Sequence, residues 1–183
     1  MDIADIIRTR WSPRAFSDHK IKDDELNLLF EAARWAPSSR NEQPWLYYYA
    51  HKEDADRFKI FIDCLMPGNQ IWAKDAAVLI LGTTKKEFDR NGRLNRHRMH
   101  DTGAASALLC LQANELGYQA HQMAGFVADK TYENFGIDRD KYDLTSFIAV
   151  GKPGDPASLP EDLKKSELEP RQRKELHEIA KRL

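Results

Sequence analysis

An α+β fold is expected from three features of the sequence. Stretches with apolar residues at helical spacing begin at Asp23-Asp24 and again at residue 53. Short apolar or aromatic runs at residues 45–50, 76–81 and 146–151 read as strands. The two kinds of segment are interspersed without the strict alternation of a doubly wound α/β sheet.

Taken in order, Asp2 is placed to cap a short helix with Ile3, Ile6 and Ile7 on its apolar face. Asp23 and Asp24 open a second helix carrying Leu26, Leu29, Phe30 and Ala33, which Pro37 stops. Residues 45–50 are aromatic-rich and form a strand. Residues 53–65 form an amphipathic helix ended by Pro67-Gly68. Residues 76–81 are a continuous apolar run and hence a buried strand. From Asp101 to Leu116 the chain is apolar almost all round, so a central buried helix is expected, with Gly117 past its end. Its Gly103, Ala104, Ala105, Ser106 and Ala107 permit close packing, including against another subunit. A brief strand follows at 118–122 and the last core strand at 146–151. Between Lys152 and Pro170 the prolines Pro153, Pro156 and Pro160 suggest an extended surface arm, either wrapping a partner subunit or simply connecting; helix resumes near Arg171.

The chain has 183 residues, 42% hydrophobic and 31% charged. That favours one domain over residues 1–183, large enough to bury roughly 70% of its unfolded surface. A formal net charge of −1 gives no global drive toward nucleic acid or an acidic membrane. Cys64 and Cys110 lie among apolar residues and read as buried free thiols in a reducing compartment. The start, MDIADIIRTR, lacks a basic region followed by an apolar run, so no signal peptide and a cytoplasmic location are expected. No apolar run is long enough to span a bilayer.

Two N-terminal stretches carry the chemistry. Residues 10–14 read R-W-S-P-R, and residues 36–45 read A-P-S-S-R-N-E-Q-P-W. They offer permanent positive charge, hydroxyls, amides and Pro-stiffened backbone. That inventory suits a ligand with a phosphate at one end and a polar ring system at the other. Six further motifs follow in order: Asn69-Gln70-x-Trp72; Asp101-Thr102-Gly103; Leu116-Gly117; residues 121–126, H-Q-M-A-G-F; Val150-Gly151-Lys152-Pro153; and Arg171-x-Arg173.

These eight motifs, spread over essentially the whole chain, resemble the nitroreductase family of FMN-dependent, NAD(P)H-oxidising flavoproteins. The resemblance implies a mixed, mainly antiparallel central sheet flanked by helices, in an intertwined homodimer with FMN at the subunit interface. It implies that Arg10, Ser12 and Arg14 bind FMN, with Arg10 and Arg14 toward the phosphate or ribityl end. Pro37, Ser38, Ser39 and Asn41 would come to the same flavin from the other subunit. Asn69 would lie near the flavin ring. Gln122, Met123, Ala124 and Gly125 would pass beside the isoalloxazine, where a backbone N–H can reach N5. Ala124 stands where many relatives carry an acidic residue or glycine. Arg171 and Arg173 would close on the phosphate. No catalytic side chain is expected, because the chemistry is carried by the flavin N5. A gap admitting nicotinamide or acceptor, but not both, implies ping-pong kinetics with NADH or NADPH as donor. The expected acceptor is a nitroaromatic, a quinone or a similar small electrophile. The alternatives are a flavin or ene-type reductase with the same site, or a non-catalytic FMN carrier or sensor.

Other features carry less. Residues 85–100 (KKEFDRNGRLNRHRMH) read either as a solvated mobile segment or as an electropositive lid for NADPH or an acidic substrate. Glu87 and Asp89 interrupt that charge, so nucleic acid is not an expected partner. His97 and His100 lack a third ligand, so no metal site is expected. No G-x-G-x-x-G precedes a helix, and Gly151-Lys152-Pro153 is not a P-loop. Trp35, Trp45 and Trp72 are expected in the core, whereas Trp11 either covers the flavin or packs.

Overall fold

A computed structural model describes residues 2–183. The elements are α1 (Asp5–Thr9), α2 (Asp23–Arg34), β1 (Trp45–His51), α3 (Ala55–Cys64), α4 (Pro67–Ala73), β2 (Val78–Lys85), α5 (Arg98–Glu115), β3 (Gln119–Met123), α6 (Ala128–Phe135), β4 (Tyr142–Gly151), α7 (Glu161–Leu168) and α8 (Leu176–Ile179). The strands form one sheet in the order β1-β2-β4-β3, and all three pairings are antiparallel. The α+β class and the mainly antiparallel sheet are as expected.

The two central strands explain the core. Successive residues of a strand face opposite sides. Val78 and Ile80 of β2 join Ile148 and Val150 of β4 against Leu26, Leu29, Leu109 and Ala113 of α2 and α5. Leu79 and Leu81 join Phe147 and Ala149 against Phe58, Phe61 and Trp72 on the other side. A strand covered on both faces has no polar alternation to show, hence the unbroken apolar run in the sequence.

Several boundaries differ from expectation. In α1 the N-cap is Ala4 with no side-chain cap, so Asp2 does not start it. Pro67-Gly68 ends nothing; Pro67 occupies the first turn of α4, where its missing N–H costs no hydrogen bond. The helix after residue 97 begins at Arg98, one turn earlier than Asp101. Trp35 is 74% exposed, not in the core. It sits just past α2, its indole donating to Glu31 Oε1 at 2.8 Å with the Arg34 guanidinium over its ring. Trp72 is fully buried as expected, and Trp45 packs at the edge of the core.

The C-terminal segment is not an extended arm along its length. Pro160 caps α7, whose first turn carries Glu161 and Asp162 facing the positive end of the helix. Leu159 and Leu163 pack on the core. The segment is laced to the N-terminal strap: Gly154 N–H donates to Ala15 O and Ser17 N–H to Lys152 O, both at 2.9 Å. Residues 85–100 are also tied down. Lys86 and Arg98 converge on Asp143 at 3.4 and 2.7 Å, Lys85 pairs with Asp89, and Glu42 accepts the Asp89 N–H. No helix among the described residues is long and apolar enough to cross a membrane.

The lacing leaves no room at Gly154. A Cβ there would lie 2.5 Å from both the backbone carbon and oxygen of Phe16. Gly154→Ala is expected to cost about 1–3 kcal/mol in urea unfolding, the usual scale of overpacking. Gly68→Ala, where nothing lies within 4 Å, is the control and should not destabilise.

Candidate active site

Six of the expected residues line two separate clefts on one chain. The first is a cleft of about 380 Å³ lined by Ile7, Arg10, Ser12, Ala107, Cys110, Leu111, Ala120 and Gln122. Its floor is apolar because α5 presents Ala107 and Leu111 there. One end is charged because the chain leaving α1 carries Arg10. Arg10 Nη1 donates to Ser12 Oγ at 3.2 Å. Neither Arg10 nor Arg14 has a carboxylate within ion-pair distance among the described residues; the arginines so paired are Arg8, Arg34, Arg57, Arg98 and Arg139. Gln122 closes another wall, its Nε2 donating to Cys110 Sγ at 3.5 Å. Burial pushes the Cys110 thiol up, which keeps it protonated.

Beyond Gln122 the residues separate by role. Met123 is buried, so its side chain belongs to the core and only its backbone is available. The β3–β4 ladder ends at Met123. The Ala124 and Gly125 N–H groups have no protein acceptor among the described residues. Asn69 lies against them, its Nδ2 donating to Gly125 O at 3.0 Å. A Cβ on Gly125 would come within 2.6 Å of that amide, so glycine is what lets Asn69 approach.

The second place is a cleft of about 320 Å³ lined by Pro37, Ser38, Ser39, His97, His100 and Asp101. Asp101, in the first turn of α5, accepts the Ser39 N–H at 2.9 Å and contacts His100 Nδ1 at 3.1 Å. Ser38 Oγ accepts the Gln43 N–H at 3.0 Å. Every non-glycine residue with positive φ among the described residues is here: Arg40 at 60°, Asn41 at 57° and Gln43 at 51°. Such conformations cost energy and persist where surrounding bonds enforce them. No cluster of three or more metal-ligating side chains occurs among the described residues.

The two clefts share no lining residue. Asp101 and Cys110 stand roughly 13 Å apart along α5 at 1.5 Å per residue. One chain therefore does not bring Pro37, Ser38, Ser39 and Asn41 to Arg10. The C-terminal arginines also divide. Arg171 reaches the first segment, but through backbone: Nη1 donates to Arg10 O at 2.7 Å and Nη2 to Arg8 O at 3.1 Å. Both carbonyls leave α1 without helical partners, so the guanidinium fork satisfies them. Among the described residues Arg173 bonds only the adjacent Gln172 O, and it is exposed.

Sequence reasoning missed Ala107, Cys110 and Leu111 as cleft residues, although their i, i+3, i+4 spacing puts them on one helix face. His121 was part of a motif but had no role. Its Nδ1 donates to Pro13 O at 2.9 Å, and its ring lies 4.6 Å from that of Trp72. Burial lowers the His121 pKa; Arg14 acts in the same direction, while the Pro13 carbonyl and Glu167 oppose it. Its folded value therefore lies below the unfolded value of about 6.5. Stability is lost as pH falls below 6.5, and the loss is complete below the folded pKa. His121→Phe should flatten the fall in urea midpoint between pH 7.5 and 5.5. Equal slopes in the two proteins would contradict this.

A sheet of this topology, with a basic segment and a free backbone turn beside an apolar cleft, defines a class known from other proteins. The chain belongs to the nitroreductase family, whose model matches residues 7–152. A solved structure described as an oxidoreductase containing FMN has 36% sequence identity and a TM-score of 0.92, with 98% of this chain and 91% of that chain covered. The Bacillus subtilis (strain 168) protein YdgI, provisionally named an NAD(P)H nitroreductase, is 25% identical over 84% of this chain and 90% of its own. The CLA biosynthesis enone reductase of Lactiplantibacillus plantarum is 26% identical over 82% of this chain and 85% of its own.

The donor set fits FMN on the chain's own geometry. Arg10, which lines the cleft and has no carboxylate partner among the described residues, suits a phosphate monoester. An apolar cleft floor suits a flat ring, and free N–H groups at Ala124 and Gly125 suit its polar edge.

Proposed function

We propose that this chain is an FMN-dependent oxidoreductase that takes hydride from NADH or NADPH and delivers electrons to a small electrophile such as a nitroaromatic or quinone. The observation that carries the reading is the cleft beside Arg10, Ser12 and Gln122, whose arginine is left without a carboxylate, in a nitroreductase-family chain. FMN, when bound, supplies the hydride-accepting and hydride-donating chemistry. Arg10 and Arg14 hold its phosphate or ribityl end. Ser12 adds a hydroxyl contact, and Arg10 is already oriented by that hydroxyl. Gln122 and Asn69 flank the ring with amides, and the Ala124 or Gly125 N–H serves its N5 edge. The apolar floor of Ala107, Leu111 and Ala120 excludes water beneath the ring.

The active unit is a homodimer. On their own chain Pro37, Ser38 and Ser39 line a cleft separate from that of Arg10, and a second copy brings them, with Asn41, to it. The open face of α5 supports this: Met99, Gly103 and Ala107 are exposed at four-residue spacing along one side of the helix, opposite a side that buries Ala105, Leu109 and Ala113, and Trp35 is exposed near the strained loop in sequence. Sedimentation at micromolar concentration should give a dimer; a stable monomer would contradict the shared site.

Initial rates of NADH and NADPH oxidation with menadione and a nitrofuran test the activity. Parallel double-reciprocal plots are expected, since one cleft serves donor and acceptor in turn. Bound FMN without turnover on an acceptor panel would instead support a carrier or sensor. An ene-type reductase is the second reading, favoured by the similarity to the enone reductase. Faster turnover with an α,β-unsaturated ketone than with a nitrofuran would select it.

A further inference from the structure

Residues 10–15 have no helix or strand, yet their backbone is held by side chains from distant parts of the chain. The Trp11 N–H donates to Gln119 Oε1 at 3.1 Å. His121 holds the Pro13 carbonyl. The two charged partners both come from the C-terminal segment. Glu167 of α7 accepts the Arg14 N–H at 2.8 Å on Oε1 and 3.0 Å on Oε2, and the Ala15 N–H at 3.1 Å on Oε1. Two successive N–H groups thus converge on one carboxylate, the arrangement that backbone nests offer to anions. Arg171 grips the other end of the segment through the carbonyls of Arg8 and Arg10.

The charges are used in a particular way. Glu167 does not pair with the Arg10 or Arg14 guanidinium, and Arg171 does not pair with a carboxylate, among the described residues. Each bonds backbone instead. Bonds with one ionised partner are roughly twice as strong as neutral ones. The segment is therefore fixed at both ends while its own two guanidiniums stay without counter-ions. A carboxylate on Arg14 itself would compete with an anionic ligand; a carboxylate on the Arg14 N–H does not.

We infer that Glu167 and Arg171 are positioning residues, a two-point latch by which the C-terminal segment sets the backbone of residues 10–15 for capture of the cofactor's phosphate. This rests on the FMN reading above. It gives Arg171 a different task from direct phosphate contact, and it makes cofactor affinity depend on the docking of α7.

The test uses the full chain with Glu167→Ala, Glu167→Gln and Arg171→Lys. Amide hydrogen exchange is read on the FMN-free protein, and FMN affinity by quenching of flavin fluorescence. In Glu167→Ala the Arg14 and Ala15 amides should exchange about tenfold faster or more, with β2 amides unchanged. FMN affinity should fall about tenfold, the scale of a lost bond to a charged group. Glu167→Gln keeps an acceptor oxygen and should recover part of both effects. Arg171→Lys keeps the charge but loses the fork and should also weaken FMN. Faster exchange with wild-type FMN affinity would reduce Glu167 to a structural cap and overturn the proposal. Unchanged exchange would overturn it as well. A wild-type protein that takes up no FMN would sink the flavin reading itself, and the exchange arm on the same protein would still decide whether the latch exists.

Discussion

Arg10→Ala should bind FMN about 10–100-fold more weakly than the wild type while its apoprotein unfolds at the same urea concentration. The affinity loss follows from the contact removed. A hydrogen bond to a charged group contributes about 1.5–3 kcal/mol, and 1.4 kcal/mol is tenfold in affinity. The unchanged fold follows from the side chain's surroundings: among the described residues its guanidinium makes one bond, to the exposed Ser12 hydroxyl. Its carbonyl, held by Arg171, belongs to the backbone and survives the substitution. Arg10→Lys should recover part of the affinity, because a point charge remains but the planar fork does not. Fluorescence quenching on titration with FMN measures both variants. Equal affinity for wild type and Arg10→Ala would remove the phosphate assignment.

Trp72→Ala should destabilise the chain by about 3–5 kcal/mol, the range for removing a large buried aromatic. That is a large part of the roughly 5–15 kcal/mol a domain of ordinary stability holds. Trp72 is 1% exposed, with its ring 6.3 Å from that of Phe16 and 4.6 Å from that of His121. Both neighbours matter to the site. Phe16 bridges to Pro153, and His121 holds Pro13. The same substitution should therefore weaken FMN binding even at temperatures where the protein remains folded. Trp72→Phe should lose less on both counts. A Trp72→Ala protein with wild-type urea midpoint would contradict this packing.

Most of the fold was legible because burial writes itself into local pattern. The double-sided burial of β2 gave an unbroken apolar run, and α2 showed Leu26, Leu29 and Ala33 at helical spacing. What was not legible depended on context. Pro67-Gly68 reads as a stop, but proline is equally at home in a first turn, and only the chain before it decides. The helix α6, Ala128–Phe135, buries only Thr131 fully, which leaves little periodic signal. Trp35 looks like a core residue by composition, yet it lies past the end of α2 on the outer surface. In the site, the motifs named the residues around the first cleft, but not the separation of Pro37, Ser38, Ser39 and Asn41 from it. That separation is set by the length of α5. Glu167 was invisible because its partners lie 153 and 152 positions away in sequence and are backbone N–H groups, which no motif records.

In the proposed enzyme FMN sits between Arg10, Ser12 and Gln122. The most direct measurement is the absorption spectrum of the freshly purified, untagged protein, with release and identification of its chromophore. A yellow protein that yields about one FMN per chain is the predicted result. A colourless protein that takes up no added FMN would contradict it.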